Sequence, residues 1–562
     1  MVNETFSYGS ALQGSQIRVL VIQPAAHEAD AISCTLEITA LDKPCQYDAL
    51  SYSWSDREDG VVEFCRSILC NGYELLVTKG AHDAIRHFRL KDAVRGLWID
   101  AICINQSNVG ERTQQVAMMA KVYAGAESVL IWVGEDDDRC LGRHALTVFV
   151  GMASKHWWLT KYDHASYPAN GDEMQTLLTW FWLLGRWTQT YGQQDLPGSS
   201  EESVTRPRPY TAHLHAMFGA DLEDIILPML EIVLVFLRRR WFGRRWILQE
   251  AFHGPRCEMH CGNISIGLDT FENAISKLAM ETDTLWRKEP HRDFQAVYNA
   301  VHVADLRRNN NTHSRFCTPA DVLFRYDAFD CSDPRDKVFA LLSFHDHQLI
   351  SPDYSMTIPK VYREFARAAV NNGNLAKILL QAGLRQPRTA LHSTDLPSWA
   401  PDWRVPVNIS MAWWPTDSEG RYGFGPTMFD GEYRFDDDGC LSRTAWISHP
   451  LHSLSPSRLL WHCECGSARR KHGDPAAACA YSRQGDLTSE AMRADVVLHG
   501  DIRVGDCAMA IHWTRGVMRQ YMVVVRKVED APASYTIVGW CWFRLDDCNF
   551  QRDGQVLSFR LV

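Results

Sequence analysis

Apolar and polar positions alternate along residues 17–45 ("IRVLVIQPA", "ISCTLEITAL"), the period-two pattern of a strand pair with one face buried. "YDALSYSWSD" (47–56) reads as a short buried strand running into a polar turn. "VEFCRSILCNGYELLV" holds two strand-like runs broken at Asn71-Gly72, a dipeptide suited to a tight hairpin turn. Over "TKGAHDAIRHFRL" the period becomes that of an amphipathic helix, with Thr78 placed to cap its N-terminus. "GLWIDAICINQ" (96–106) predicts a strand buried on both faces, followed by the polar loop "SNVGER". "RTQQVAMMAKVYAGA" spaces Val116, Met119, Ala120 and Tyr123 as a helix does, and "SVLIWVGE" predicts another buried strand.

Strand, helix, strand, loop, helix, strand is the order of a parallel α/β sheet flanked by helices. Ligands of such sheets bind outside the carboxyl ends of the strands. The loops at 52–56, 104–112 and 134–138 are therefore expected along one edge. Downstream the pattern predicts an insertion at about 140–220, whose stretch 186–210 is rich in Gly, Ser, Pro and charge. A helix is expected through 222–253. A helical extension over 301–394 follows, and short alternating runs from 395 to 562 predict a separate β-rich region. This division gives an α/β domain over 1–300, and no internal repeat is evident.

Composition narrows the function classes. The chain has 562 residues with a formal net charge of −10, which gives no general attraction to nucleic acid or anionic membranes. The most apolar stretch, "DIILPMLEIVLVFLRRRWF", is interrupted by Pro228 and Glu231 and closes on arginines, so no membrane span is expected. The N-terminus lacks the basic and apolar regions of a signal peptide. The 17 cysteines follow no disulfide-framework spacing, which suits reduced thiols and a cytoplasmic location. Neither common glycine-rich phosphate loop is present, which argues against a kinase, NTPase or ordinary dehydrogenase. Cys463 and Cys465 in "WHCECGS" are spaced too tightly for a zinc-ligand pair, so no metal is expected.

One carboxylate stands out. In "WFGRRWILQE", Glu250 falls among bulky apolar residues, four positions after Trp246 and so on the same helix face. It is either an ordinary helix glutamate paired with Arg244 or Arg245, or a carboxylate held in a pocket with a raised pKa. Asp100 stands in an apolar run, where an unpaired carboxylate is costly, so it is either satisfied structurally or faces the same pocket. Ser53, Trp54 and Asp56 follow the first buried strand, where Trp54 either frames a site or plugs the core. Asn105 and Gln106 can bind amide or hydroxyl groups, and Arg112 a phosphate. The arginines at 238–240, 244 and 245 are either a diphosphate site or a solvated face.

The blocks "YDALSYSWSD", "GLWIDAICINQSNVGERTQQVAMMAKVYAGAESVLIWVGE" and "RRWFGRRWILQE", followed by "DPRDKVFALLSF" and "LPSWAPDW", resemble the HET domain of fungal heterokaryon-incompatibility proteins. HET domains are in turn similar to TIR domains, flavodoxin-like α/β modules of innate immunity. "YDALSYSWSD" resembles the first TIR strand motif, and "RRWILQE" the Trp-Cys-x-x-Glu motif, with Ile247 in the Cys place. The resemblance implies a cell-death effector that cleaves NAD⁺, with Glu250 catalytic. It implies substrate contacts from Tyr52, Ser53, Trp54, Asp56, Asp100, Asn105, Gln106, Arg112, Arg245 and Trp246. NAD⁺ would be substrate, with no separate cofactor. A self-associating chain is expected, with a possible protein partner for the C-terminal region. The alternatives are a non-enzymatic module acting by homotypic association, or an NAD⁺-binding sensor.

Overall fold

The computed structural model describes residues 5–43, 46–55, 60–136, 141–153, 232–276, 278, 294–308, 318–344, 349–385, 395–405 and 407. Beyond these it describes 433–436, 440–447, 451–455, 458–462, 481–482, 497–500, 506–512, 519–529, 531, 533–544 and 555–562. The chain divides into two compact units, Met1–Asn310 and Asn311–Val562.

The first unit is built on a nine-stranded sheet flanked by helices. Its strands are β1 (Gln16–Ile22), β2 (Ser33–Ala40), β3 (Asp48–Tyr52), β4 (Phe64–Cys70), β5 (Tyr73–Thr78), β6 (Arg95–Trp98), β7 (Val129–Trp132), β8 (Cys257–Cys261) and β9 (Ile264–Gly267). They lie in the order β5-β4-β2-β1-β6-β3-β7-β8-β9. The sheet is mixed rather than parallel throughout. β6, β3, β7 and β8 run parallel at its centre, while β1 joins β6, and β9 joins β8, antiparallel. Short connections account for the antiparallel pairs β1–β2, β4–β5 and β8–β9, whereas β1 and β6 meet antiparallel from distant parts of the chain. Numbered in chain order among themselves, the four central strands run 2-1-3-4.

Local chemistry explains the elements. The β4–β5 hairpin turns on Asn71 and Gly72, with φ of 53° and 84°, the left-handed pair that a two-residue turn requires. Helix α1 (Lys79–Phe88) begins at Thr78, whose hydroxyl accepts the Ala81 amide hydrogen. Thr78→Ala should cost about 1 kcal/mol, read as a lower midpoint of chemical unfolding of the first unit. The expected strand at 96–106 ends early: β6 stops at Trp98, and a single helical turn, α2 (Asp100–Cys103), follows. An apolar run this short fits either state by periodicity. Here the Asp100 carboxylate accepts the Ala101 amide hydrogen at 2.8 Å and the Cys103 amide donates to the Ile99 carbonyl at 2.7 Å, which closes the turn.

Helix α3 (Val109–Gly125) is capped by the Asn108 side chain and anchored by a buried ion pair. Arg18 on β1 meets both Glu111 oxygens, at 2.5 and 3.1 Å, with both side chains almost wholly buried. Helix α4 (Leu141–Ala153) follows β7.

The helix expected through 222–253 is broken in its described part. Residues 232–237 are helical, Arg240–Gly243 form a 3₁₀ turn, and α5 (Trp246–His253) begins afresh. Arg239 and Arg244 are extended between the pieces, which lets Trp241 and Phe242 both enter the core, at 1% and 0% exposure. Arg239 also donates to the carbonyls of Val133 and Glu135, fixing the break against the end of β7. Helix α6 (Phe294–Arg308) packs on α5.

The second unit contains α7 (Pro319–Arg325), started by a Thr318–Asp321 capping box, then α8 (Asp336–Phe339), α9 (Ile358–Ala369) and α10 (Leu375–Leu384). Its β-rich part includes a seven-stranded sheet. Six strands run β10 (Tyr433–Phe435), β11 (Leu441–Ile447), β16 (Cys507–His512), β17 (Arg519–Lys527), β18 (Ser534–Arg544) and β15 (Val497–Gly500). The seventh, β19 (Gln555–Leu561), pairs with β11 and β18. Strands β12 (Leu451–Ser455), β13 (Arg458–His462) and β14 (Tyr481–Ser482) form a smaller sheet. The almost wholly buried α10 packs against the larger sheet, and Trp403 donates to Gln381 upon it at 3.0 Å. No helix among the described residues is long and apolar enough to cross a membrane.

Candidate active site

Strand alternation separates the two faces at the end of β3. Ser51 and Ile131 are paired across β3 and β7, as are Tyr52 and Trp132. Ser51 reaches α5, whereas Trp132 meets Phe88 of α1 edge-on at 6.0 Å, so the two helices cover opposite faces. The site lies on the α5 face, at the carboxyl ends of the central parallel strands.

Glu250 projects from α5 with 1% exposure. One carboxylate oxygen accepts a short hydrogen bond from the Ser51 hydroxyl, whose oxygen in turn accepts the Trp241 indole N–H at 2.8 Å. The other oxygen lies 3.7 Å from the Arg244 guanidinium, which also donates to the Tyr52 carbonyl at the last residue of β3. Burial pushes the Glu250 carboxyl from its ordinary 4.5 up to about 7, and the nearby Asp100 charge adds to this. Arg244 and the Ser51 hydroxyl pull in the opposite direction.

Asp100 forms the second half of the cluster. Both its oxygens accept the Trp54 indole N–H, at 2.9 Å each, and its backbone carbonyl accepts the Gln106 side-chain amide at 2.8 Å. Burial raises its pKa against the opposing pull of Arg244 and the Trp54 hydrogen bond. Burial would lower the Arg244 pKa, but Glu250 and Asp100 together raise it, so the guanidinium stays charged. Two carboxylates thus share one cation in a place largely closed to water. The arrangement suits a ligand that carries or develops positive charge, because a low-dielectric surround strengthens each charge interaction.

The structure brings Trp54, Asp100, Gln106 and Glu250 into this one neighbourhood, joined by Ser51, Trp241 and Arg244. Tyr52 contributes its backbone carbonyl, while strand alternation turns its side chain to the α1 face. Ser53 is half-buried and its hydroxyl donates to the Ser55 carbonyl at 2.7 Å. Asn105 belongs to the neighbouring Arg18–Glu111 network, its amide donating to Glu111 at 2.8 Å and its side chain accepting from Ser107 at 2.7 Å. Arg112 is half-buried in the first turn of α3, Arg245 is wholly buried just before α5, and Trp246 is half-buried at the start of α5. Asp56 lies outside the described residues, as do Cys463 and Cys465. Among the described residues no group of three or more His, Cys, Asp or Glu side chains could hold a metal ion.

Sequence reasoning missed Ser51 and Trp241, and placed Arg244 both among possible partners of Glu250 and in a basic cluster read as a diphosphate site or a solvated face. Ser51 was the detectable one: it is the polar position inside the otherwise apolar "ALSY". Arg244 and Arg245 cannot be ordered by composition, because the backbone break before α5 decides which of them faces the carboxylate.

Comparison with known proteins agrees with the segments that build this site. Residues 47–250 match the family model described as Heterokaryon incompatibility protein (HET), a match that ends on Glu250 itself. Over 449 residues, 71% of its length, the chain is 25% identical to "Heterokaryon incompatibility protein 6, OR allele" of Neurospora crassa. That match covers 59% of the Neurospora protein, so the chain spans less than two thirds of this relative. No solved structure matches the chain. Residues 47–250 are accordingly similar to a HET domain.

Proposed function

We propose that the chain is a cell-death effector of fungal incompatibility whose HET domain has a TIR-like core and cleaves NAD⁺ between nicotinamide and ribose. The observation that carries this reading is Glu250: a buried carboxylate with a raised pKa at the carboxyl edge of a parallel array, sharing its surroundings with the loop that bears Trp54. The 2-1-3-4 order of the central strands supports a flavodoxin-like relationship, whose ligands bind at the switch between the first and third of those strands. Those strands are β3 and β7, and Ser51 lies on the first of them.

In the proposed reaction the bond from the ribose anomeric carbon to the nicotinamide nitrogen breaks, and its electron pair leaves with neutral nicotinamide. The ionised Glu250 stabilises the positive charge left on the sugar, as carboxylates do in glycoside hydrolysis. Water then adds to the anomeric carbon and loses a proton. Arg244 stands where that positive charge would be satisfied, so the substrate must displace its guanidinium from Glu250. Trp54, held by Asp100, and Trp246 frame the nicotinamide side. Tyr52, Ser53, Asp56, Asn105, Gln106, Arg112 and Arg245 supply contacts to the nucleotide. Activity follows self-association of the chain, and the C-terminal region receives a protein partner.

The test is release of nicotinamide from NAD⁺ by purified, self-associated full-length chain, beside Glu250→Ala. No turnover by the wild type discards the enzymatic reading; turnover unchanged in the variant discards the site. A second reading, a non-enzymatic association module, is favoured by the complete burial of Glu250 against Ser51, which also suits a structural carboxylate. It predicts association without turnover, and the same experiment separates the two. Because the working form of Glu250 is ionised, kcat/KM should rise tenfold per pH unit well below about 7 and level off above it. A flat profile across neutrality counts against Glu250 as the stabilising group.

A further inference from the structure

We propose that Cys34 and Cys70 form a thiol–disulfide site that hydroperoxides close, stapling the segment that carries β3. Neighbouring strands β2 and β4 run parallel and place these two cysteines directly opposite each other. The Asn71 amide donates to the Cys34 carbonyl at 3.0 Å, which fixes that register. Both side chains are buried, at 2% and 0% exposure, while Ser33 and Leu69 flank them on the other face, as strand alternation requires. Paired residues of adjacent strands lie within the range of backbone separations that a disulfide spans.

The local chemistry favours one order of events. Cys70 is held below its usual thiol range by the hydrogen bond from Cys34, whose own pKa is raised. The Cys34 sulfur lies 3.4 Å from the Leu69 carbonyl oxygen, the alternative acceptor for its single thiol hydrogen. Cys70 is therefore the better nucleophile, since the thiolate is the reactive form. Its sulfur attacks one peroxide oxygen, and the O–O bond breaks. With hydrogen peroxide this gives a Cys70 sulfenic acid and one water. The Cys34 sulfur then attacks the Cys70 sulfur and expels a second water. Two thiols have lost two electrons and two hydrogens, and one peroxide has become two waters.

Cys103 is the nearby rival, since its charge is felt at Cys34. It is a poor competitor: burial pushes its pKa to about 12, against the opposing pull of the Ile99 amide hydrogen that it accepts at 3.3 Å. The ring closed by Cys34 and Cys70 encloses all of β3, with Ser51, and the turn that bears Trp54. Its oxidation would thus reach the candidate active site through the chain itself, whether or not that site cleaves NAD⁺.

The test is exposure of the full-length, fully reduced chain to a small excess of hydrogen peroxide, then alkylation, digestion without reductant and peptide mass spectrometry. The expected product is a peptide containing Cys34 joined to one containing Cys70, two hydrogens lighter than the reduced pair. It is restored by reductant, and it is absent from Cys34→Ala and Cys70→Ala. The wild-type map needs no variant to fold. Recovery of both cysteines alkylated while others have oxidised overturns the proposal. So does joining of Cys34 to Cys103, or oxidation of Cys70 that stops short of the disulfide.

Discussion

Glu250→Gln is expected to lower nicotinamide release from NAD⁺ by about 10²–10³-fold, the usual cost of removing one preorganised charge-stabilising group. Glutamine keeps the shape of the side chain and still accepts the Ser51 hydroxyl, so the fold should survive. The variant should in fact be the more stable protein at alkaline pH. In the folded chain Glu250 titrates at about 7, above its ordinary 4.5, so its burial is harmless below pH 4.5 and grows costly as pH rises through 7. Removing the titration should return stability of the order of 3 kcal/mol above pH 7 and nothing below 4.5. Activity loss with a pH-dependent gain in unfolding midpoint is a signature that a merely structural glutamate would not give. Equal stability of the two proteins at pH 8 would contradict the burial penalty on which the site assignment rests.

Arg18→Met is expected to destabilise the first unit by about 3–5 kcal/mol, because it strands Glu111 as an uncompensated buried charge. Glu111 is not an incidental partner. It receives the Asn105 amide hydrogen as well as the bidentate guanidinium, so one carboxylate fixes the 104–108 loop, the start of α3 and β1 together. The Arg18→Met, Glu111→Leu double variant should recover a large part of the loss, since apolar pairs often replace buried ion pairs at little cost. Thermal unfolding of the four members of the cycle measures this. A double variant as unstable as Arg18→Met alone would show that geometry specific to the ion pair, rather than stranded charge, holds the loop.

These two cases also show how far the sequence could be read. The hairpin at Asn71-Gly72, the Thr78 cap and the periodicities of α1 and α3 were legible because each rests on contacts a few residues apart. Trp54, Asp100 and Glu250 were legible as candidates because a polar residue in an apolar setting needs an explanation. Their arrangement was not, since it depends on tertiary placement. "GLWIDAICI" fits a strand or a helical turn equally well, and only the observed hydrogen bonds decide that Asp100 opens a turn towards Trp54. The arginine cluster reads as one basic face, yet the break around Arg240–Gly243 separates it, sending Arg239 to the end of β7 and Arg244 to Glu250. Arg18, the third residue of β1 and set among isoleucine, valine and leucine, gave no sign that its partner would be Glu111.

The Ser51–Glu250 hydrogen bond joins residues 199 positions apart, and the Trp241–Ser51 bond residues 190 apart. Contacts of that span carry a large loop-closure entropy and are made late, after local hairpins and helices have formed. On the ribosome β3 emerges long before α5 exists to meet it. The candidate carboxylate acquires its desolvated setting only when the intervening chain has been synthesised and docked. Whatever chemistry the site performs would thus be withheld from the nascent chain by the order of its own synthesis, with no inhibitor required.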